Sequence, residues 1–264
     1  MNRNILVNSS LLFVIAATAE TISHEGGHFT MAFLFHAGDL SLHHNFVNYG
    51  DGNLTIQQRI LIASAGPLVS LFIGILFHLI IIRYRSPDLL RLFFLYMSAF
   101  GYIGFLGYLM IAPFFKYGDT GFVCSALQFP IYLTAALAVF GGFLLYLVMK
   151  SICREFIPFL SKEDYENDKE RKQEFNFLIQ FPLYIGIVIT TLLNLPTPTP
   201  LSLIAPLCSP FSILWGFGPL MRKKYDYPSE INDPATIDKL SFIWFILFIG
   251  IIIINRILAN GIKI

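Results

Sequence analysis

Apolar runs of about 20 residues recur along the whole chain, and they constrain its fold more than any other feature. A helical run of that length crosses the ~30 Å hydrocarbon core of a bilayer. Seven are legible: Ile5–Phe35, Ile60–Ile82, Leu89–Phe115, Gly121–Met149, Phe177–Leu195, Leu201–Leu220 and Leu240–Leu258. Backbone groups facing lipid must satisfy one another, which restricts such a chain to helices. Composition agrees. Of the 264 residues 55% are hydrophobic and 13% charged, against roughly 25% charged in soluble domains. The expected fold class is an all-α membrane protein, a polytopic bundle of six to seven transmembrane helices. Its expected location is that of an integral multi-pass protein of the cell membrane, with the lipid bilayer as a partner. A net charge of +1 offers no field for nucleic acid.

The first run is too long. Thirty-one residues would reach about 46 Å, so it must tilt, protrude or break, and Gly26-Gly27 is the expected weak point. The sixth run is interrupted by Pro206 and Pro210 and reads as broken or re-entrant. The N-terminal run resembles a signal peptide in hydrophobicity but lacks a normally placed small-residue cleavage site, so it is expected to be retained. Between the first two runs, Phe46–Tyr49 and Leu54–Ile56 flank Gly50-Asp51-Gly52-Asn53 and predict a small β-hairpin with a glycine-rich turn. Ser151–Asn176, dense in both signs of charge, predicts a solvated helical linker. It divides the chain into a four-span core (1–150), the linker (151–176) and a C-terminal region of two to three spans (177–264). Cys124, Cys153 and Cys208 are far apart and match neither a metal spacing nor a disulfide framework.

One stretch does not belong in such a run. Ser23-His24-Glu25-Gly26-Gly27-His28 places three ionisable side chains inside the first apolar segment, where such groups signal function by default. His24 and His28, four apart, lie about 40° from each other on one helix face, which suits two imidazoles on one metal. Glu25 sits about 60° round from His28, able to serve a water as general base without being a ligand. Glu20, one turn before His24, is a candidate acceptor for an imidazole N–H.

A catalytic zinc takes a third protein ligand and keeps one open position. The position six beyond His28 is Leu34, and no Glu follows Glu25 until Glu155. The candidates are His36, Asp39, His43, His44, Asp51 and Asp119. Counting spans places Asp119, just beyond the third run, at the same membrane face as the histidines, ahead of His43 and His44 on the hairpin. His78 falls towards the opposite face and reads as a packing residue. A di-iron site needs about eight histidines, and this chain has 6.

Three features resemble the site-2 protease family of intramembrane zinc metalloproteases, over roughly residues 10 to 125. They are HEGGH on the first run, Gln58-Arg59 leading into Ala65-Gly66-Pro67 at the start of the second, and Gly118-Asp119-Thr120-Gly121 after the third. The resemblance implies a Zn2+ ion on His24, His28 and Asp119, Glu25 as the catalytic base, and hydrolysis of a peptide bond in or next to a transmembrane helix of a membrane-protein substrate. The hairpin would pair with that substrate as an added strand. The chain also departs from the family pattern. No Asn accompanies Pro113, Thr120 follows Asp119 where the family has Gly, and the more Asn-Pro-like stretch Asn194–Pro200 leads to Ser202 where an aspartate would stand. A non-proteolytic membrane scaffold or regulator that keeps the protease fold is the alternative reading. Orientation is contested as well. Of the 18 Lys and Arg, all but Arg59, Lys116, Arg256 and Lys263 fall on the N-terminal side. The positive-inside rule therefore puts the HEGGH face outside, whereas the resemblance implies the reverse.

Overall fold

The computed structural model describes residues 3–50, 52–198, 200–228 and 237–264. It is mostly helical, and among the described residues seven helices are long and apolar enough to cross a membrane. Helix α1 (Arg3–Leu34) leads into strands β1 (Gly38–Leu42) and β2 (Val47–Gly50). Helices α2 (Ile56–Arg83) and α3 (Leu89–Ile111) follow, then the short α4 (Asp119–Ala126) and the long α5 (Ile131–Arg154). A short α6 (Lys162–Glu166) precedes α7 (Asp168–Leu193), the broken α8 (Ile204–Met221), α9 (Phe242–Ala259) and a last strand, β3 (Ile262–Lys263).

Helix α1 runs unbroken through Gly26-Gly27, contrary to the expected weak point. The reason is packing. A Cβ on Gly27 would lie 2.8 Å from the Ala65 carbonyl oxygen of α2, so this glycine lets two helix backbones meet, as small residues do between membrane helices. Proline does break α8, where a 3-10 stretch spans Ser209–Ile213 around Pro210.

The expected hairpin is in a different register. Its turn is His43–Phe46, closed by the His43 amide on the Phe46 carbonyl at 2.9 Å, and Leu42 faces Val47. Leu54–Ile56 is not a strand, because Thr55 caps α2. The Thr55 hydroxyl accepts from the Gln58 amide at 3.3 Å and the Gln58 side chain accepts from the Thr55 amide at 2.8 Å. That reciprocal box starts a helix where alternating hydrophobicity had pointed to a strand. The sheet also has a third strand, in the order β2-β1-β3. Leu40 seals its inner face against Ala32 and Ile62.

The main core draws on all three segments of the chain. Phe13, Tyr96 and Leu145 pack in one cluster with Phe156, Tyr165 and Phe175 of the charged stretch and with Leu183 and Leu220 beyond it. The stretch 151–176 is therefore not simply solvated. Its acids and lysines are largely exposed, but Tyr165, Phe175 and Arg171 are buried. Arg171 donates to the Tyr165 carbonyl at 2.8 Å and pairs with Asp168.

Candidate metal centre

His24 and His28 lie one turn apart on α1 and face α2, where Gly66 makes room for both rings. A Cβ there would come within 2.7 Å of His24 Nε2 and closer still to His28 Nε2. Each imidazole is held from behind. His28 Nδ1 is 2.7 Å from the Ile62 carbonyl oxygen. A carbonyl only accepts, so Nδ1 carries the proton. His24 Nδ1 is 2.9 Å from Ser70 Oγ, and that hydroxyl donates to Glu20 Oε1 at 2.5 Å. With its proton committed to Glu20, Ser70 accepts from His24 Nδ1. Neutral rings in these tautomers leave both Nε2 lone pairs free, aimed at the same point. Glu20 does not touch the imidazole itself; Ser70 stands between them.

Asp119 arrives from the first turn of α4. Thr120 Oγ1 donates to the Tyr108 carbonyl at 2.5 Å and fixes this turn to the end of α3. The guanidinium of Arg59 lies 5.3 Å above the Phe122 ring and ties α4 to α2. Asp119 Oδ2 then stands 3.0 Å from His24 Nε2 and 3.3 Å from His28 Nε2, with the two Nε2 atoms 3.1 Å apart. Burial would raise the Asp119 carboxyl, but when the two rings carry both protons the positive charge of His28 and His24 holds it well below the usual carboxylate range. These three residues form a group able to hold a metal ion.

The donor set and its spacing fit zinc. Ligand atoms at about 2.0–2.1 Å from a tetrahedral ion lie about 3.3–3.4 Å from one another, close to the 3.0, 3.1 and 3.3 Å found here. Two imidazole lone pairs and a carboxylate so close together need positive charge between them, from a cation or from ring protons. Glu25 is buried on α1, next in sequence to His24 and three residues before His28. It lines, with Glu20 and His24, a cavity of about 980 Å³ whose lining also includes Asn45, Asn194 and Asn255.

The other sequence candidates lie elsewhere. His36 and Asp39 are exposed. His43 stacks on Phe46 in the hairpin turn. His44 is buried beside it, and burial lowers its pKa. Asp51 lies outside the described residues. His78 sets its ring edge against Tyr102. All three cysteines are free. Ser202 and Asn194 reach the cavity wall.

Sequence reasoning missed Ser70, the Ile62 carbonyl and Tyr108, whose ring stacks on His24 at 5.2 Å. Gly66, Ser70 and Gly74 recur every four residues on α2, and such a small-residue stripe marks a close helix contact. That pattern was the available signal for Ser70. Tyr108 follows a π-helical segment, Ile103–Gly107, a feature common near functional sites but not readable from residue types. Comparison with protein families, curated proteins and solved structures returned no match for this chain.

Proposed function

We propose that this chain is an integral membrane zinc metalloprotease, resembling the site-2 proteases, that hydrolyses a peptide bond in or next to a transmembrane segment of another membrane protein. One observation carries the reading. Two imidazoles and a carboxylate converge within 3.3 Å, beside a buried Glu25, at the wall of a cavity among helices apolar enough to cross a membrane.

His24, His28 and Asp119 would hold the ion. When bound, zinc supplies a Lewis acid that polarises the scissile carbonyl and acidifies water. Glu25 takes the proton from the attacking water and delivers it to the leaving amine nitrogen. Ser70 and the Ile62 carbonyl hold both imidazoles in the tautomer that presents Nε2. Glu20, through Ser70, stabilises positive charge accumulating on His24. Tyr108, stacked on the His24 ring, covers one side of the site and limits the approach of bulk water. A peptide bond in a helix is masked by its own hydrogen bonds, so the substrate must be extended when it reaches Glu25. The β1–β2 hairpin, whose turn residue Asn45 lines the cavity, offers a template for that extension.

The test pairs metal content with cleavage. Purified wild type is expected to hold one zinc, and His24→Ala and Asp119→Ala are expected to lose it. Wild type should cleave a membrane-helix substrate, and Glu25→Gln should keep the metal without cleaving. Zinc and full activity retained in Asp119→Ala would remove Asp119 from the ligand set. Zinc without cleavage of a panel of membrane helices would favour the scaffold reading.

A further inference from the structure

The edge of β1 that faces away from β2 is occupied by the chain's own residues. After α9 the backbone turns at Gly261, with φ of 77°, a conformation natural to glycine and strained for an L side chain. The segment then runs antiparallel along β1. Leu42 faces Ile262, Ser41 faces Lys263, and the Ile264 amide donates to the Leu40 carbonyl at 3.1 Å. Leu40 and Leu42 therefore turn their backbone polar groups to this segment, and Ser41–Lys263 is a close, non-hydrogen-bonded pair. Side chains contribute little. Ile262 is 46% and Ile264 71% exposed, and Lys263 is exposed as well. Attachment mainly through the main chain, with few side-chain demands, is how an added peptide strand binds a sheet edge.

The position of this edge gives the attachment meaning. Asn45, three residues past Leu42, and Asn255 on α9 both line the cavity that holds His24 and Glu25. The Asn45 side-chain amide donates to the Asn194 carbonyl at 2.8 Å, and Arg256 donates to the carbonyls of Leu193 and Leu195. The hairpin turn and the end of α9 thus meet the end of α7 at the cavity wall. An extended peptide on that edge would lie beside the hairpin whose turn residue, Asn45, lines the cavity together with Glu25.

We propose that Ile262–Ile264 is an intramolecular strap occupying the strand position of an extended peptide substrate, and that cleavage requires its release. The inference rests on the protease reading above. Strap and substrate compete for the same backbone groups, so the strap raises KM and leaves kcat alone. If the edge is free about one-tenth of the time, removing the strap lowers KM about tenfold.

Three variants test this. Ile264→Pro deletes only the amide that reaches Leu40, and truncation after Gly261 deletes the strap. Ser41→Cys with Lys263→Cys, in a background with Cys124, Cys153 and Cys208 replaced by alanine, can lock it, because close cross-strand pairs accept a disulfide. The first two are expected to lower KM several-fold at constant kcat. The oxidised third variant should be inactive until reduced. Equal KM in all chains, with oxidised and reduced forms equally active, overturns the strap. Failure of the protease reading looks different: no chain cleaves, and Glu25→Gln matches wild type.

Hydrogen exchange at Leu42 then decides the strap without catalysis. Its amide should be protected in wild type and exposed in the truncated chain. A short synthetic peptide of alternating valine and threonine should restore protection to the truncated chain only. Leu42 protection unaffected by truncation, or by the peptide, overturns the proposal on its own.

Discussion

Replacing Gly66 by alanine tests the metal centre without touching any ligand. The new methyl would lie 2.7 Å from His24 Nε2 and from His28 Cδ2, where ordinary contact begins at 3.4 Å. Both rings must therefore retreat by about 0.7 Å or more, since repulsion rises steeply inside contact distance. Metal sites tolerate ligand displacements of only about 0.2 Å. Losing one supporting contact behind a ligand already costs about 10- to 100-fold in affinity. Moving two ligands at once should cost at least the upper figure, about 2.7 kcal/mol.

The fold should suffer less. Overpacking costs about 1–3 kcal/mol, and alanine in place of glycine inside a helix returns about 1 kcal/mol. The net destabilisation is therefore about 0–2 kcal/mol. The assay is zinc competition against a chromophoric chelator in detergent, with helical circular dichroism as the check on folding. Gly26→Ala is the control, because a Cβ there meets nothing within 4 Å. A folded Gly66→Ala chain that binds zinc within about twofold of wild type would refute the geometry argued from α1 and α2.

Ser70→Ala removes the acceptor of the His24 Nδ1 proton and should weaken zinc about 10- to 100-fold in the same competition assay. Thr55→Ala breaks the α2 capping box and should lower thermal stability by about 1 kcal/mol, with zinc affinity unchanged. Zinc at 1,000 times its Kd stabilises the folded state by about 4 kcal/mol, so chelation should lower the unfolding midpoint of wild type and leave that of Asp119→Ala unmoved.

The helices were legible because long apolar runs leave little choice of backbone, and each of the seven expected runs overlaps, at most of its residues, one of the seven long apolar helices among the described residues. The hairpin was half legible. Strand-like alternation surrounded Gly50–Asn53, yet Thr55 and Gln58 had a stronger local claim as a helix cap, so the turn moved to His43–Phe46. Strand β3 gave no signal at all. Two residues, Ile262 and Lys263, are too few for a pattern, and they are a strand only because β1 has an edge to receive them.

Local sequence determined what depends on helical period and on lipid. It set the lengths of the apolar helices, put His24 and His28 on one face of α1, and put Glu25 beside them. Span counting could add only which end of the bundle Asp119 occupies. The tertiary structure alone decided that Asp119 Oδ2 comes 3.0 Å from His24 across 95 residues of chain. It also decided that Ser70 stands between Glu20 and His24 and that Gly66 clears the space for both rings. Period and hydropathy fix the direction of a side chain about its own helix axis. Distances of 3 Å between helices are set by which small residues let backbones approach, and that is decided only when the helices pack.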